Sequence, residues 1–129
     1  MIVVDATVWV DYLIGELSDD HRERVLDLAA TSPAHVDFEV GSALMRRERL
    51  GELDVGASRV LVTGFSGMPF PRESTHHDLV TAFDLIDNAT YADAIYVTMA
   101  DRLKCPIMTS DSGMAECARI ADVDVLTTG

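Results

Sequence analysis

The chain has 129 residues, 48% hydrophobic and 25% charged, with a mean hydropathy of +0.14. That composition is too apolar for disorder, and the length suits one domain that buries its own core without disulfides or a structural metal. Ten Lys+Arg against 22 Asp+Glu give a formal charge of −12, which argues against a broad basic nucleic-acid surface or adhesion to anionic membranes but leaves divalent cations open.

Ile2 to Val4 is a short apolar run closed by Asp5, the pattern of a strand buried on both faces of a parallel sheet. Thr7 is placed to cap a short helix through Val8, Trp9, Val10, Asp11, Tyr12, Leu13 and Ile14, ended by Gly15. Ser18-Asp19-Asp20 opens a second helix that carries Val25, Leu26, Leu28 and Ala29 up to Ser32-Pro33. A third helix runs from about Val36 to Leu50 and stops at Gly51, and a fourth spans roughly Val55 to Thr63. Met68 to Pro71 is short and proline-bounded, at best an edge strand. Ser74 to Asp87 reads as a helix with Leu79, Val80, Phe83 and Ile86 at helical spacing. Thr90 to Lys104 is the most regular helix, with Ala92, Ile95, Tyr96, Met99 and Leu103 on one stripe. Pro106 to Thr109 is a second buried strand. A short helix over Ser112 to Ile120 and a final strand near Asp124 to Leu126 follow. Strands alternating with helices predict an α/β sandwich around a small parallel sheet.

The acids fall at informative places. Ligand sites of open parallel sheets form outside the carboxyl ends of the strands, and Asp5 and Asp111 each follow a core strand. Either alone reads as a turn or N-cap residue; the pair suggests a site. Glu39 shares the face of its helix with Val36, Val40, Ala43 and Leu44. Two explanations stand equal: a carboxylate turned inward because it is paired or binds metal, or a hydrated acid favoured by the helix N-terminus. Asp93 stands at capping-box spacing from Thr90, yet borders the apolar stripe beside Tyr96. Were the four to converge, mutual repulsion would raise their pKa values unless a cation compensated, and hard oxygen donors suit Mg²⁺ or Mn²⁺. Spacing alone does not derive that convergence.

Four segments carry a resemblance: Val3-Val4-Asp5-Ala6-Thr7; Asp37-Phe38-Glu39-Val40-Gly41-Ser42-Ala43-Leu44; Tyr91-Ala92-Asp93-Ala94-Ile95-Tyr96-Val97; and Pro106-Ile107-Met108-Thr109-Ser110-Asp111. In this order and spacing the sequence resembles PIN-domain ribonucleases, specifically VapC-type toxins of toxin–antitoxin pairs. The resemblance covers essentially the whole chain, residues 1–129, as one PIN domain. It implies a three-layer α/β/α sandwich with a parallel sheet of four or five strands. The implied activity is an endoribonuclease that uses Mg²⁺, with Mn²⁺ as a substitute, to hydrolyse RNA phosphodiester bonds with a metal-activated water. A homodimer and inhibition by a cognate VapB-type antitoxin are implied as well. By position, Asp5, Glu39, Asp93 and Asp111 match the catalytic, metal-binding acids. Thr7 and Thr109 match small hydroxyl residues that orient carboxylates or a metal-held water. A mild departure is Tyr91-Ala92 before Asp93, where many relatives place the aromatic directly before the acid.

Other features weigh less. Arg46 lies two turns from Glu39 on nearly the same face and is the candidate contact to RNA phosphate. Arg47 and Arg49 read as a solvated helix end. Adjacent His76 and His77 point about 100° apart and do not share an ion. Trp9, Tyr12 and Leu13 read as core. Cys105 and Cys117 lack the number and spacing of a disulfide framework or zinc site. No membrane-length apolar run or secretory leader is visible, so a cytoplasmic protein is expected. Two alternatives remain. One is a phosphorelay receiver-like Mg²⁺-binding domain, disfavoured by a lone Asp5 and a single lysine that precedes a strand. The other is a catalytically inactive PIN-like binding module.

Overall fold

Short apolar runs supply two of the central strands, residues 2–4 and 107–109, and each ends where a polar residue reaches the rim. A computed structural model describes residues 1–129. Five strands, β1 (Ile2–Val4), β2 (Ala30–Pro33), β3 (Arg72–Glu73), β4 (Ile107–Thr109) and β5 (Val125–Thr127), pair in parallel in the order β3-β2-β1-β4-β5. Ile2, Val3, Val4, Ile107 and Met108 are fully buried, as expected for the middle of a parallel sheet covered on both faces. Val3 stands opposite Ile107 and Val4 opposite Met108, and the Asp5 amide donates to the Met108 carbonyl at 2.9 Å. The chain therefore delivers Asp5 and Thr109 side by side at the carboxyl end.

Six helices cover the sheet: α1 (Ala6–Ile14), α2 (Asp19–Asp27), α3 (Val36–Arg49), α4 (Ala57–Ser66), α5 (Tyr91–Leu103) and α6 (Ser112–Ile120). From β1 the chain steps outward to β2 and β3 through α1 to α4. It then returns past β1 to β4 and β5 through α5 and α6. Right-handed crossovers in opposite directions put the two helix groups on opposite faces. The packing agrees: α1, α3 and α4 touch one another, while α5 packs on α6. The expected three-layer sandwich is thus the one observed. Its strand order also separates it from a flavodoxin-like receiver, whose order is 2-1-3-4-5.

Local signals end the helices where anticipated. The Ser18 hydroxyl accepts from the His21 amide, the Thr90 hydroxyl from the Asp93 amide, and the Asp111 carboxylate from the Gly113 and Met114 amides. Gly15 closes α1 in the left-handed region at φ 80°, where a side chain would be strained.

Four expectations need correction. Asp5, not Thr7, occupies the N-cap of α1, and Thr7 lies inside the helix, turned toward Asp5. The second helix stops at Asp27, because residues 30–33 form β2 instead. Its polar Thr31 and Ser32 hid that strand. Both are buried, which is tolerable because Thr31 donates to the Pro71 carbonyl at 3.1 Å and Ser32 to the Val4 carbonyl at 2.6 Å. Residues 74–87 form two 3-10 turns, His76–Asp78 and Thr81–Leu85, in place of an α-helix. Leu79, Val80, Phe83 and Ile86 are all exposed. The segment is fastened instead by buried Asp78, gripped by the Arg102 guanidinium at 2.8 and 3.1 Å. The edge strand falls at Arg72–Glu73, just past the Met68 to Pro71 stretch expected to hold it.

An aromatic cluster ties α1 to the sheet's edge. Trp9 is buried, its ring stacked on Phe70 at 4.4 Å and tilted against Phe65 at 5.7 Å, and its indole N–H donates to Ser32 at 2.9 Å. The Arg72 guanidinium lies 3.8 Å over the Phe70 ring and donates to the carbonyls of Phe65, Met68 and Phe70. Trp9→Ala is expected to cost about 3–5 kcal/mol of unfolding free energy, as for other buried aromatics. Urea denaturation checks this, and an unchanged midpoint would show that the cluster does not hold the edge.

Candidate active site

Ligands of open parallel sheets bind where the chain reverses its direction of travel across the sheet, here between β1 and β4. Outside the carboxyl ends of these two strands lies a cavity of about 360 Å³, lined among others by Asp5, Thr7, Glu39, Asp93, Ser110 and Asp111. The structure thus brings together all four acids singled out in the sequence. Asp5 comes from the end of β1, Glu39 from the first turn of α3, Asp93 from the first turn of α5, and Asp111 from the cap of α6.

The hydrogen bonds to three of these carboxylates fall on one oxygen each. Thr7 and Thr109 both donate to Asp5 Oδ2 at 2.8 Å. Tyr96 donates to Glu39 Oε1 at 2.8 Å. The amides of Gly113 and Met114 donate to Asp111 Oδ1 at 2.7 and 3.3 Å. The threonines are themselves positioned, since the Ser110 amide donates to Thr7 at 3.3 Å and the Asp111 amide to Thr109 at 2.9 Å. Both bland expectations therefore hold in part: Asp111 does cap α6, and Glu39 does sit in the open first turn of α3.

Burial and mutual repulsion govern the electrostatics. Asp5, only 4% exposed, is raised above the usual aspartate range chiefly by burial; the two threonine hydroxyls oppose the rise and the nearby Asp111 charge adds to it. Glu39 is raised by burial, against the Tyr96 hydroxyl. Asp93, which accepts no comparable set of bonds, is pushed up to about 6, first by burial and then by the charges of Asp5, Asp111 and Glu39. That four-way coupling is what a cation would relieve. No three His, Cys, Asp or Glu side chains close on one point as a ready-made cage. Mg²⁺, which keeps several waters and takes few carboxylates directly, is suited to such an open set of hard oxygen donors. The donor set fits a hydrated divalent cation.

The PIN-domain family matches residues 2–120 of the chain. The chain belongs to the PIN-domain family. Among known proteins it is similar to ribonuclease VapC3 of Mycobacterium tuberculosis, with 33% identity over 117 residues that span 88% of this chain and 85% of the relative. Ribonuclease VapC1 of the same organism is 31% identical over 116 residues, 88% of this chain and 87% of that one. These similarities place it among the VapC-type PIN ribonucleases. A crystal structure of Mycobacterium tuberculosis VapC20, a sarcin–ricin loop cleaving toxin, covers 90% of this chain and 94% of its own with a TM-score of 0.63. At 17% identity, that likeness attests the shared fold.

This PIN domain's cavity has further wall residues that sequence patterning did not mark. Arg46 lines it as anticipated, but Arg47, expected to be a solvated helix end, lines it too, together with Asp11. Arg47 is held back only by a long 3.9 Å approach to Glu16. Tyr96 lies on the buried stripe of α5, yet its hydroxyl reaches Glu39. His35, just ahead of α3, places Nε2 3.3 Å from both Glu39 Oε1 and the Ala92 carbonyl. Burial pushes His35 toward the neutral form, so that contact is a polar one and not an ion pair. Adjacency to an acid was the one available signal for Tyr96, and the fold alone supplies the reach. His76 and His77 lie on the 3-10 turns and take no part in this cavity.

The Asp93 shift makes a pH prediction for the metal-free protein. A folded-state pKa near 6, above the unfolded value of about 3.9, means that ionised Asp93 burdens the fold at neutral pH and that the burden lifts as pH falls through 6. Asp93→Asn should therefore melt higher than wild type at pH 7.5, and the gap should narrow by pH 5. Melting curves in EDTA check this; a gap independent of pH would contradict the shift.

Proposed function

We propose that the chain is a divalent-metal-dependent endoribonuclease toxin in which Asp5, Glu39, Asp93 and Asp111 hold Mg²⁺, with Mn²⁺ as a substitute. The observation that carries this is the meeting of four carboxylates in one cavity at the β1/β4 reversal, in a member of the VapC-type PIN family. When bound, Mg²⁺ supplies Lewis-acid charge that activates water and neutralises the scissile phosphate. The chain's own residues set the stage. Thr7 and Thr109 hold one oxygen of Asp5, and the α6 amides hold one oxygen of Asp111. Arg46 and Arg47 are the cations of the cavity wall and supply contacts to RNA phosphate.

The proposal extends to partners. The acidic cavity and the net charge of −12 suit a cognate VapB-type antitoxin that lays a basic segment over the site. A single PIN domain over residues 1–129, acting as a homodimer in the cytoplasm, completes the proposal on the strength of the family resemblance. No helix is long and apolar enough to cross a membrane.

Antitoxin-free protein should cleave labelled RNA in Mg²⁺ and stop in excess EDTA. Asp5→Asn should abolish cleavage while the circular dichroism spectrum is retained. Thr109→Val, which removes one of the two donors to Asp5, should lower activity by about 10–100-fold. Cleavage that survives EDTA refutes the metal role. No cleavage in any divalent metal marks an inactive binding module instead.

A further inference from the structure

Glu39 differs from Asp5 and Asp111 in how it is reached. Asp5 and Asp111 are steadied by neighbours two or three residues along the chain, and Asp5 also by Thr109 on the paired strand. No donor two or three residues along the chain reaches Glu39; its local neighbour is His35, four residues back. Glu39 stands on α3, and its partner Tyr96 stands 57 residues away on α5. A glutamate has three side-chain torsions to fix, and fixing them costs rotamer freedom. Left alone in a half-open cavity, its carboxylate samples many positions.

Tyr96 is built to limit that sampling. Its ring is fully buried, so packing sets where the hydroxyl points, and only two torsions need to be held. The hydroxyl donates to Oε1 at 2.8 Å. His35 lies edge-on to the Tyr96 ring, with centroids 5.0 Å apart, and approaches the same oxygen at 3.3 Å. The His35 nitrogen is also 3.3 Å from the Ala92 carbonyl. Both neighbours being acceptors, this nitrogen carries the proton. His35 thereby joins the start of α3 to the start of α5, the two helix ends that carry Glu39 and Asp93. Tyr96 and His35 both converge on Oε1, and neither takes Oε2.

We propose that Tyr96 and His35 are positioning residues that hold Glu39 by Oε1 and thereby present Oε2 to the cation. The inference rests on the reading of Glu39 as a metal ligand given above. A competing account is that Glu39 merely satisfies the hydroxyl of a core tyrosine. The two accounts differ in what the hydroxyl does for metal affinity. Residues that orient a ligand are worth about 10–100-fold in affinity or activity, whereas a satisfied core hydroxyl is worth nothing to the ion.

The test is Mn²⁺ binding by titration calorimetry on the full chain, with wild type, Tyr96→Phe and Asp5→Asn in parallel. Tyr96→Phe keeps the ring and deletes only the donor. It should bind Mn²⁺ at least about 10-fold more weakly and recover most of kcat at saturating Mn²⁺, with KM for RNA unchanged. His35→Ala should move affinity in the same direction by less. Its side chain is 26% exposed, so it serves the same comparison if the Phe variant melts substantially lower than wild type. Wild-type Mn²⁺ affinity in Tyr96→Phe, and in His35→Ala where that variant is used, overturns the positioning role and leaves the metal site standing. No Mn²⁺ binding by wild type, matching Asp5→Asn, overturns the metal site and the positioning role together.

Discussion

The parallel pairing of Val3-Val4 with Ile107-Met108 is the constraint on which the rest depends. These strands are separated by a hundred residues of chain, and their alignment sets Asp5 beside Thr109 with hydrogen-bond reach to spare. Because side chains alternate along a strand, a slip of one residue would turn the Asp5 and Thr109 side chains to opposite faces. Buried apolar side chains on both strands oppose that slip. The core thus fixes the chemistry's geometry before any polar interaction is counted. The reversal of winding at this pair then opens a crevice that the helix starts of α3, α5 and α6 surround.

Within that crevice the fold meets a cost that it only partly offsets. Bringing carboxylates out of water favours their neutral forms, and bringing them near one another does so again. The chain answers with donors: two threonines for Asp5, a tyrosine for Glu39, two amides for Asp111. Asp93 has the least help, and burial with the charges of Asp5, Asp111 and Glu39 pushes it up to about 6. A fold selected only for stability would have placed a neutral residue at one of these positions. Retaining all four is intelligible when a cation supplies the missing positive charge.

Much of this could be read from residue order. Continuous apolar runs marked β1 and β4, and Ser18, Thr90 and Asp111 marked helix starts, because these signals act over three or four residues. The acids at strand ends followed from the general behaviour of parallel sheets. Signals that act across the fold were not legible. Thr31 and Ser32 look like loop residues until Pro71 and Val4 come within hydrogen-bond distance. Residues 74–87 carry a helical apolar stripe, yet the Asp78–Arg102 pair holds them in another shape. Tyr96 counts as core by periodicity, and only the approach of α3 to α5 gives its hydroxyl a carboxylate. Four acids on four elements needed the folded chain to show that they share one cavity.

The charge of −12 bears on RNA in a specific way. Electrostatic attraction of nucleic acid grows with the number of phosphates that cations neutralise, and a surface this acidic neutralises few. Any RNA held here is held at a point, against the acidic cavity and its two arginines, and repelled elsewhere. Recognition then leans on what reaches that point and less on a long backbone track. The same field has the opposite effect on a basic peptide, which it attracts from any direction. Acidity over the whole chain therefore weakens broad contact with substrate while favouring a basic inhibitor, and one charge distribution sets both preferences.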